Sequence, residues 1–227
     1  MKKIVACILA LVCLFACVSC GGEVEKNVEK IAAIYANAAP TKTVVHTVQD
    51  FGEYKLEGET TLIVGTYNGK AATLYTYVRQ ELADVEQMNS IAKRSVQGSK
   101  EYFADKGVRE DAIVNDNARF NRNGENFAPA TGAIALNLDA EALTDVVYEN
   151  GVFTATVAAD FVKAVFGEDT TIATQTGIVI TVAGNMITSV TLTYTIPSYT
   201  AMPDATVTVT ATYAYDVQTV TPIIAFN

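Results

Sequence analysis

The chain contains no tryptophan and a single histidine, His46, and its four cysteines, Cys7, Cys13, Cys17 and Cys20, all precede Gly21. The remainder is free of thiols, which excludes disulfides, cysteine nucleophiles and Cys-ligated zinc from the body of the protein. One histidine supplies neither a His cluster for a metal nor a second imidazole for acid–base work. Neither Gly-x-Ser-x-Gly nor a phosphate-cradling glycine loop occurs. Half of the residues are apolar, yet only one long uninterrupted apolar run exists, and it ends at Val18. Positive charge is scarce as well: 16 Lys and Arg face 25 Asp and Glu, for a net charge of −9. Lys2 and Lys3 belong to the first segment, so the rest is more acidic still. Such a body is repelled by nucleic acid and by anionic headgroups.

The first segment is of a different kind. After Lys2 and Lys3 comes a small and apolar run from Ile4 to Val18, closed by Ser19-Cys20-Gly21-Gly22. A basic start, a short apolar core and a small residue before the break mark an export signal over residues 1–19, too short for a comfortable membrane span. Its end resembles the lipobox of bacterial lipoproteins, in which a small residue precedes a cysteine that is diacylated and becomes the new N-terminus. Cys17-Val18-Ser19-Cys20 favours Cys20 as the lipidated residue, with 20–22 as anchor and tether, and Leu14-Phe15-Ala16-Cys17 makes Cys17 the alternative. Each buried methylene contributes about 0.8 kcal/mol, so one acyl chain anchors marginally and two anchor durably. The expected product is held on the extracytoplasmic face of a bacterial membrane, at the cell surface or in the periplasm, with residues 23–227 as one domain.

From Glu23 the pattern is helical: Val24, Val28, Ile31 and Tyr35 form one apolar stripe, and Ala36 to Pro40 ends it. The period then changes to two. Thr43 to Phe51, Tyr54 to Thr66 and Ala71 to about Val85 read as strands, the last two joined at Asn68-Gly69. Gln80 to Val96 also fits a helix through Leu82, Val85, Met88, Ala92 and Val96, and both readings stay open. Lys100 to Ala104 and Val108 to Ile113 pair around Asp105-Lys106-Gly107. Asn115 to Thr131 reads as an exposed loop whose Asp116, Asn121 and Asn123 miss the calcium-loop spacing. Ala133 to Leu138 reads as a strand. Asp139 caps a turn over Ala140 to Leu143, and Asp145 to Tyr148 turns at Asn150-Gly151 into Val152 to Val157. A short helix over Ala159 to Phe166, ending at Gly167, precedes strands over Thr171 to Val182, Met186 to Ile196 and Ala205 to Asp216.

The last two strands carry the architecture. Met186, Val190, Leu192, Tyr194 and Ile196 share one face against Ser189, Thr191, Thr193 and Thr195. Ala205, Val207, Val209, Ala211, Tyr213 and Tyr215 likewise oppose Thr206, Thr208, Thr210 and Thr212. Such alternation describes an antiparallel sheet wet on one side and dry on the other. A dry face needs a cover, so the expected fold is α+β: a curved, mainly antiparallel half-barrel with helices covering its concave apolar face.

The order of signal, helix, hairpins, Gly151-Val152-Phe153-Thr154-Ala155-Thr156-Val157, short helix ending at Phe166-Gly167, and paired strands resembles the half-barrel lipoproteins typified by LolA, LolB, LppX and LprG. The resemblance covers most of the mature chain and lies in layout, without a signature motif. It implies an acyl chain or lipoprotein held between the concave sheet and its helices.

Catalytic candidates are few. His46 lies in phase with Val44 and Val48 and has no evident partner. Ser90-Ile91-Ala92-Lys93 matches Ser-x-x-Lys, but neither Ser-Asp-Asn nor Lys-Thr-Gly accompanies it. Glu53, Glu57 and Glu59 alternate on a strand, as a solvated face does. The expectation is therefore a non-enzymatic protein without metal or cofactor. Its candidate ligand lining is Phe161, Phe166, Leu192, Tyr194 and Tyr213. Its partners are the membrane, through covalent lipid, and either an acyl-chain ligand or another protein. The alternative to a hydrophobic-ligand carrier is an envelope interaction or scaffold module whose core is filled.

Overall fold

The computed structural model describes residues 22–81, 90–97, 100–105, 119–120, 134, 136–158, 175–197, 204–216 and 218–222. Helix α1 covers residues 22–36. It is followed by strands β1 (Lys42–Asp50), β2 (Lys55–Tyr67), β3 (Lys70–Glu81), β4 (Ser90–Gln97), β5 (Lys100–Asp105) and β6 (Arg119–Phe120). Next come β7 (Leu143–Glu149), β8 (Val152–Ala158), β9 (Gln175–Ala183), β10 (Met186–Ile196), β11 (Ala205–Ala214) and β12 (Gln218–Thr219). They form one open sheet in the order β6-β5-β4-β3-β2-β1-β11-β10-β9-β8-β7. All its neighbours along that path are antiparallel.

Turn chemistry fixes the hairpins. Asn68 and Gly69 both have positive φ, 49° and 73°, as do Asn150 and Gly151, 52° and 80°. Two successive left-handed residues make the turn whose twist matches that of the flanking strands. At the β9–β10 turn only Gly184 is positive, at 63°, the pattern with glycine at the first central position. The β1–β2 connection is longer. Asp50 accepts from the Gly52 N–H at 2.8 Å and meets Lys55 Nζ at 2.8 Å, while Phe51 and Tyr54 stack with centroids 4.8 Å apart.

β11 joins the two halves of the sheet by pairing with β1 over nine residues, from Lys42↔Ala214 to Asp50↔Thr206. Beyond it the chain crosses the start of β1, where the Thr41 N–H donates to the Ala214 carbonyl at 2.8 Å and its hydroxyl to that of Asp216. β12 then lies parallel to the overhang of β2 at Gly65 and Thr66. This occupies backbone groups of β2 that β1 is too short to reach.

The core lies on one side of β7 to β11. Val28, Ile31 and Tyr35 of α1 are buried in one cluster with Phe153 and Val157 of β8, Ile178 and Ile180 of β9, Ile187, Val190 and Leu192 of β10, and Ala211 and Tyr213 of β11. Full burial of each large aliphatic or aromatic side chain contributes about 1.5–3 kcal/mol. The Asn37 side chain ends α1 by donating to the Ala33 carbonyl at 2.8 Å, which satisfies one of the acceptors a helix terminus leaves open.

Four expectations change. Ser90–Gln97 is a strand paired with β3, so the ladder overrides the helical spacing of Ala92 and Val96. β5 pairs with β4 and β6, and 106–113 lie outside the described residues. Of the expected strand Ala133 to Leu138, the described residues 134 and 136–138 belong to no strand. Met186 is 49% exposed while Ile187 is fully buried, because the β9–β10 register shifts between Ile187 and Ser189 and a bulge exchanges the faces on either side of it. The expected helix over Ala159 to Phe166, with Gly167, and most of the Asn115 to Thr131 loop lie outside the described residues.

Candidate functional site

Residues opposed across a ladder share a face, so the registers sort the sheet. One face carries the row Phe153, Ile180, Val190, Ala211, Val45 and Thr60; we term it inner. The other carries Val147, Thr154, Val179, Thr191, Thr210, His46 and Glu59. On this outer face the Thr191 and Thr210 hydroxyls lie 3.4 Å apart. The β10 and β11 threonines stand there as their alternation requires.

Cover on the inner face is uneven. Along the row Tyr213, Thr43, Leu62 and Tyr75, Tyr213 and Thr43 are 8% and 2% exposed and Leu62 is half-buried, while Tyr75 is 38% exposed. No side chain of β2 is fully buried, although this strand lies in the middle of the sheet. The inner surface is thus sealed under α1 and less deeply covered at Leu62 and Tyr75, while Val96, opposite Thr73 on the same face, is buried again.

At the boundary sits a buried polar group. The Tyr35 hydroxyl donates to the Ile134 carbonyl at 2.5 Å, the Ile134 N–H donates to the Tyr213 hydroxyl at 3.1 Å, and the two hydroxyls are 3.5 Å apart. Each tyrosine has one proton, and Tyr35 spends its own on Ile134. The proton between the two rings therefore belongs to Tyr213, which closes a directed ring from Ile134 through Tyr213 and Tyr35 back to Ile134. Burial, reinforced by Tyr213, pushes the Tyr35 hydroxyl far above the usual tyrosine range. Helix and sheet together grip the backbone of one residue.

That residue begins a strap. Ile134, Leu136 and Leu138 are half-buried and pack on the core cluster, while Asn137 is exposed. The alternation is that of a strand, but Ile134 has tyrosine hydroxyls where a ladder would offer backbone. Tyr215 is anchored in turn by donation to the Ile187 carbonyl at 2.8 Å. Burial also raises its hydroxyl, with a smaller contribution from Tyr213. Thr43, opposite Tyr213, and Thr176, opposite Tyr194, are 2% and 1% exposed. Neither hydroxyl has a hydrogen-bond partner among the described residues.

Of the expected lining, Leu192 and Tyr213 belong to the sealed core, at 6% and 8% exposure. Tyr194 is half-buried on the same face, and burial raises its hydroxyl. Phe161 and Phe166 lie outside the described residues, as do Cys17 and Cys20. Tyr35, Thr43 and Ile134 were not anticipated. A tyrosine ending an apolar helical stripe is a signal that a buried partner is needed, but its identity is set only by the fold.

The catalytic candidates do not converge. His46 is exposed, with Nε2 3.7 Å from Glu57 Oε2, and Glu57 and Glu59 line the exposed outer side of β2. Ser90 and Lys93 fall within β4, where a spacing of three does not define one face as it does in a helix. No group of three potential metal ligands occurs among the described residues, and no helix among them is long and apolar enough to cross a membrane. No family model, curated protein or solved structure matches the chain.

Proposed function

We propose that the mature protein is an exported lipoprotein, tethered to the membrane through Cys20, that binds a hydrophobic ligand without catalysing a reaction on it. The ligand lies between the inner face of a curved half-barrel sheet and its helices, in the manner the resemblance to the LolA and LppX type implies. The supporting observation is the single inner row that runs from sealed Tyr213 and Thr43 to half-buried Leu62 and exposed Tyr75. An apolar chain placed over β2 and β3 extends the existing core and removes further apolar surface from water, worth about 25 cal/mol per Å².

The sealing of Leu192 and Tyr213 favours a second reading, an envelope interaction module with a filled core. Native mass spectrometry of the protein extracted from its own membrane separates the two. The carrier reading expects a bound acyl-chain mass beyond that of the lipid anchor. A ligand-free mass, with Leu192→Trp altering neither bound material nor uptake, selects the interaction module.

A further inference from the structure

We propose that Asn68 is a modification site: in the folded protein its side-chain amide is lost through a succinimide formed with Gly69, while the same dipeptide at Asn150-Gly151 is shielded. The reaction needs no enzyme, and it is independent of ligand holding. The Gly69 nitrogen gives up its proton and attacks Asn68 Cγ. The new N–C bond forms, the Cγ–Nδ2 bond breaks, and Nδ2 takes up a proton and leaves as ammonia. Water then opens the imide. Attack at Cγ gives aspartate, and attack at the main-chain carbonyl gives isoaspartate, whose backbone runs through Cγ and is one atom longer. Nothing is oxidised or reduced. Glycine favours the first step because no side chain crowds the attacking nitrogen.

Geometry separates the two turns. Asn68 and Asn150 are both exposed, with φ of 49° and 52°, and each is followed by a left-handed glycine. In that backbone conformation Cβ stands away from the next nitrogen, so ring closure begins with rotation out of the left-handed well, and the rate follows how readily each turn opens. At Asn150 opening is opposed. The Gly151 carbonyl accepts from the N–H of buried Val182 at 2.7 Å, and a Cβ on Gly151 would fall 2.6 Å from the Val182 carbonyl oxygen. Moving this turn strands a buried donor, which is costly. At Gly69 nothing lies within 4 Å of the corresponding position. Gln97 Nε2 donates to the Tyr67 and Lys70 carbonyls at 2.9 and 3.4 Å, which braces the flanks of the turn but not the Asn68–Gly69 peptide itself. A third pair, Asn123-Gly124, lies outside the described residues. The longer isoaspartate backbone no longer fits the two-residue turn that sets the β2–β3 register, so conversion at Asn68 loosens the hairpin that carries Leu62 and Tyr75.

The test incubates the full-length protein, solubilised in detergent at mildly alkaline pH, in its native state and in urea. Peptide mapping by mass spectrometry, with detection of isoaspartate, follows each Asn-Gly pair separately. Each native rate is divided by the rate of the same site in urea, which removes the influence of neighbouring residues. The quotient for Asn68 should exceed that for Asn150 by at least about five-fold, the ratio that one net hydrogen bond supplies. Equal quotients, or a larger one at Asn150, would overturn the assignment. So would an Asn68 that stays intact in the native protein while it converts in urea.

Discussion

Removing the hydroxyls of Tyr35 and Tyr213 singly and together tests whether the ring around Ile134 is one unit. Tyr213→Phe leaves the Ile134 N–H without its acceptor, and Tyr35→Phe leaves the Ile134 carbonyl without its donor. Both rings are at least nine-tenths buried, so water does not readily replace the lost partner, and each single change should cost about 1–3 kcal/mol. The phenyl rings keep their packing, which confines the effect to the hydroxyls. Once one bond is gone the strap is free to shift, and the second removal then finds less to break. The double variant should therefore cost at least about 0.5 kcal/mol less than the sum of the singles. Urea unfolding followed by far-ultraviolet circular dichroism measures all four proteins. Additivity within about 0.3 kcal/mol would show that the two hydroxyls act independently. Single losses below about 0.5 kcal/mol would show that they hold nothing.

Alkaline stability follows from the same residue. The folded state holds the Tyr35 proton far above the usual range, so its contribution is complete below the unfolded value near pH 10 and is lost as pH rises beyond it, by at most about 1.4 kcal/mol per unit. Tyr35→Phe should flatten the fall in unfolding free energy above about pH 10; an unchanged slope would contradict the burial of that hydroxyl. Gly151→Ala should destabilise more than Gly69→Ala in thermal melts, although both glycines have positive φ, because a Cβ at Gly151 would lie 2.6 Å from the Val182 carbonyl oxygen while nothing lies within 4 Å at Gly69. Equal costs would mean that backbone strain alone decides both. Replacing Cys20 by Ala should release the protein from membranes in fractionation, whereas retention with Cys17 intact would move the lipid to Cys17.

Legibility followed local periodicity. The β10 and β11 threonine faces, the Asn68-Gly69 and Asn150-Gly151 turns and the Asp139 cap rest on neighbours within a few residues, and each appears where its pattern requires. Met186 departs because one bulge reverses alternation without altering composition. β4 departs because Ser90–Gln97 satisfies two spacings, and the edge of β3 selects between them. The strap departs for a related reason: Ile134, Leu136 and Leu138 alternate as strand residues do, but the groups that hold Ile134 come from residues 99 and 79 positions away. A pairing of that range has no signature in either segment. The site suffers the same limitation more acutely, since Leu192 and Tyr213 have the composition of a ligand lining and the burial of a core. Only the fold distinguishes these, and it turns attention to Leu62 and Tyr75.

The most direct test of the account is site-specific labelling of this cysteine-free body. A single cysteine in place of Leu62, on the inner face across from Thr43, is compared with one in place of Thr208, on the outer face across from Val48. Their alkylation rates are measured with and without methyl hexadecanoate. Bound ester should slow labelling at position 62 and leave position 208 unchanged. Equal protection at both positions, or at neither while the ester is demonstrably bound, would contradict it.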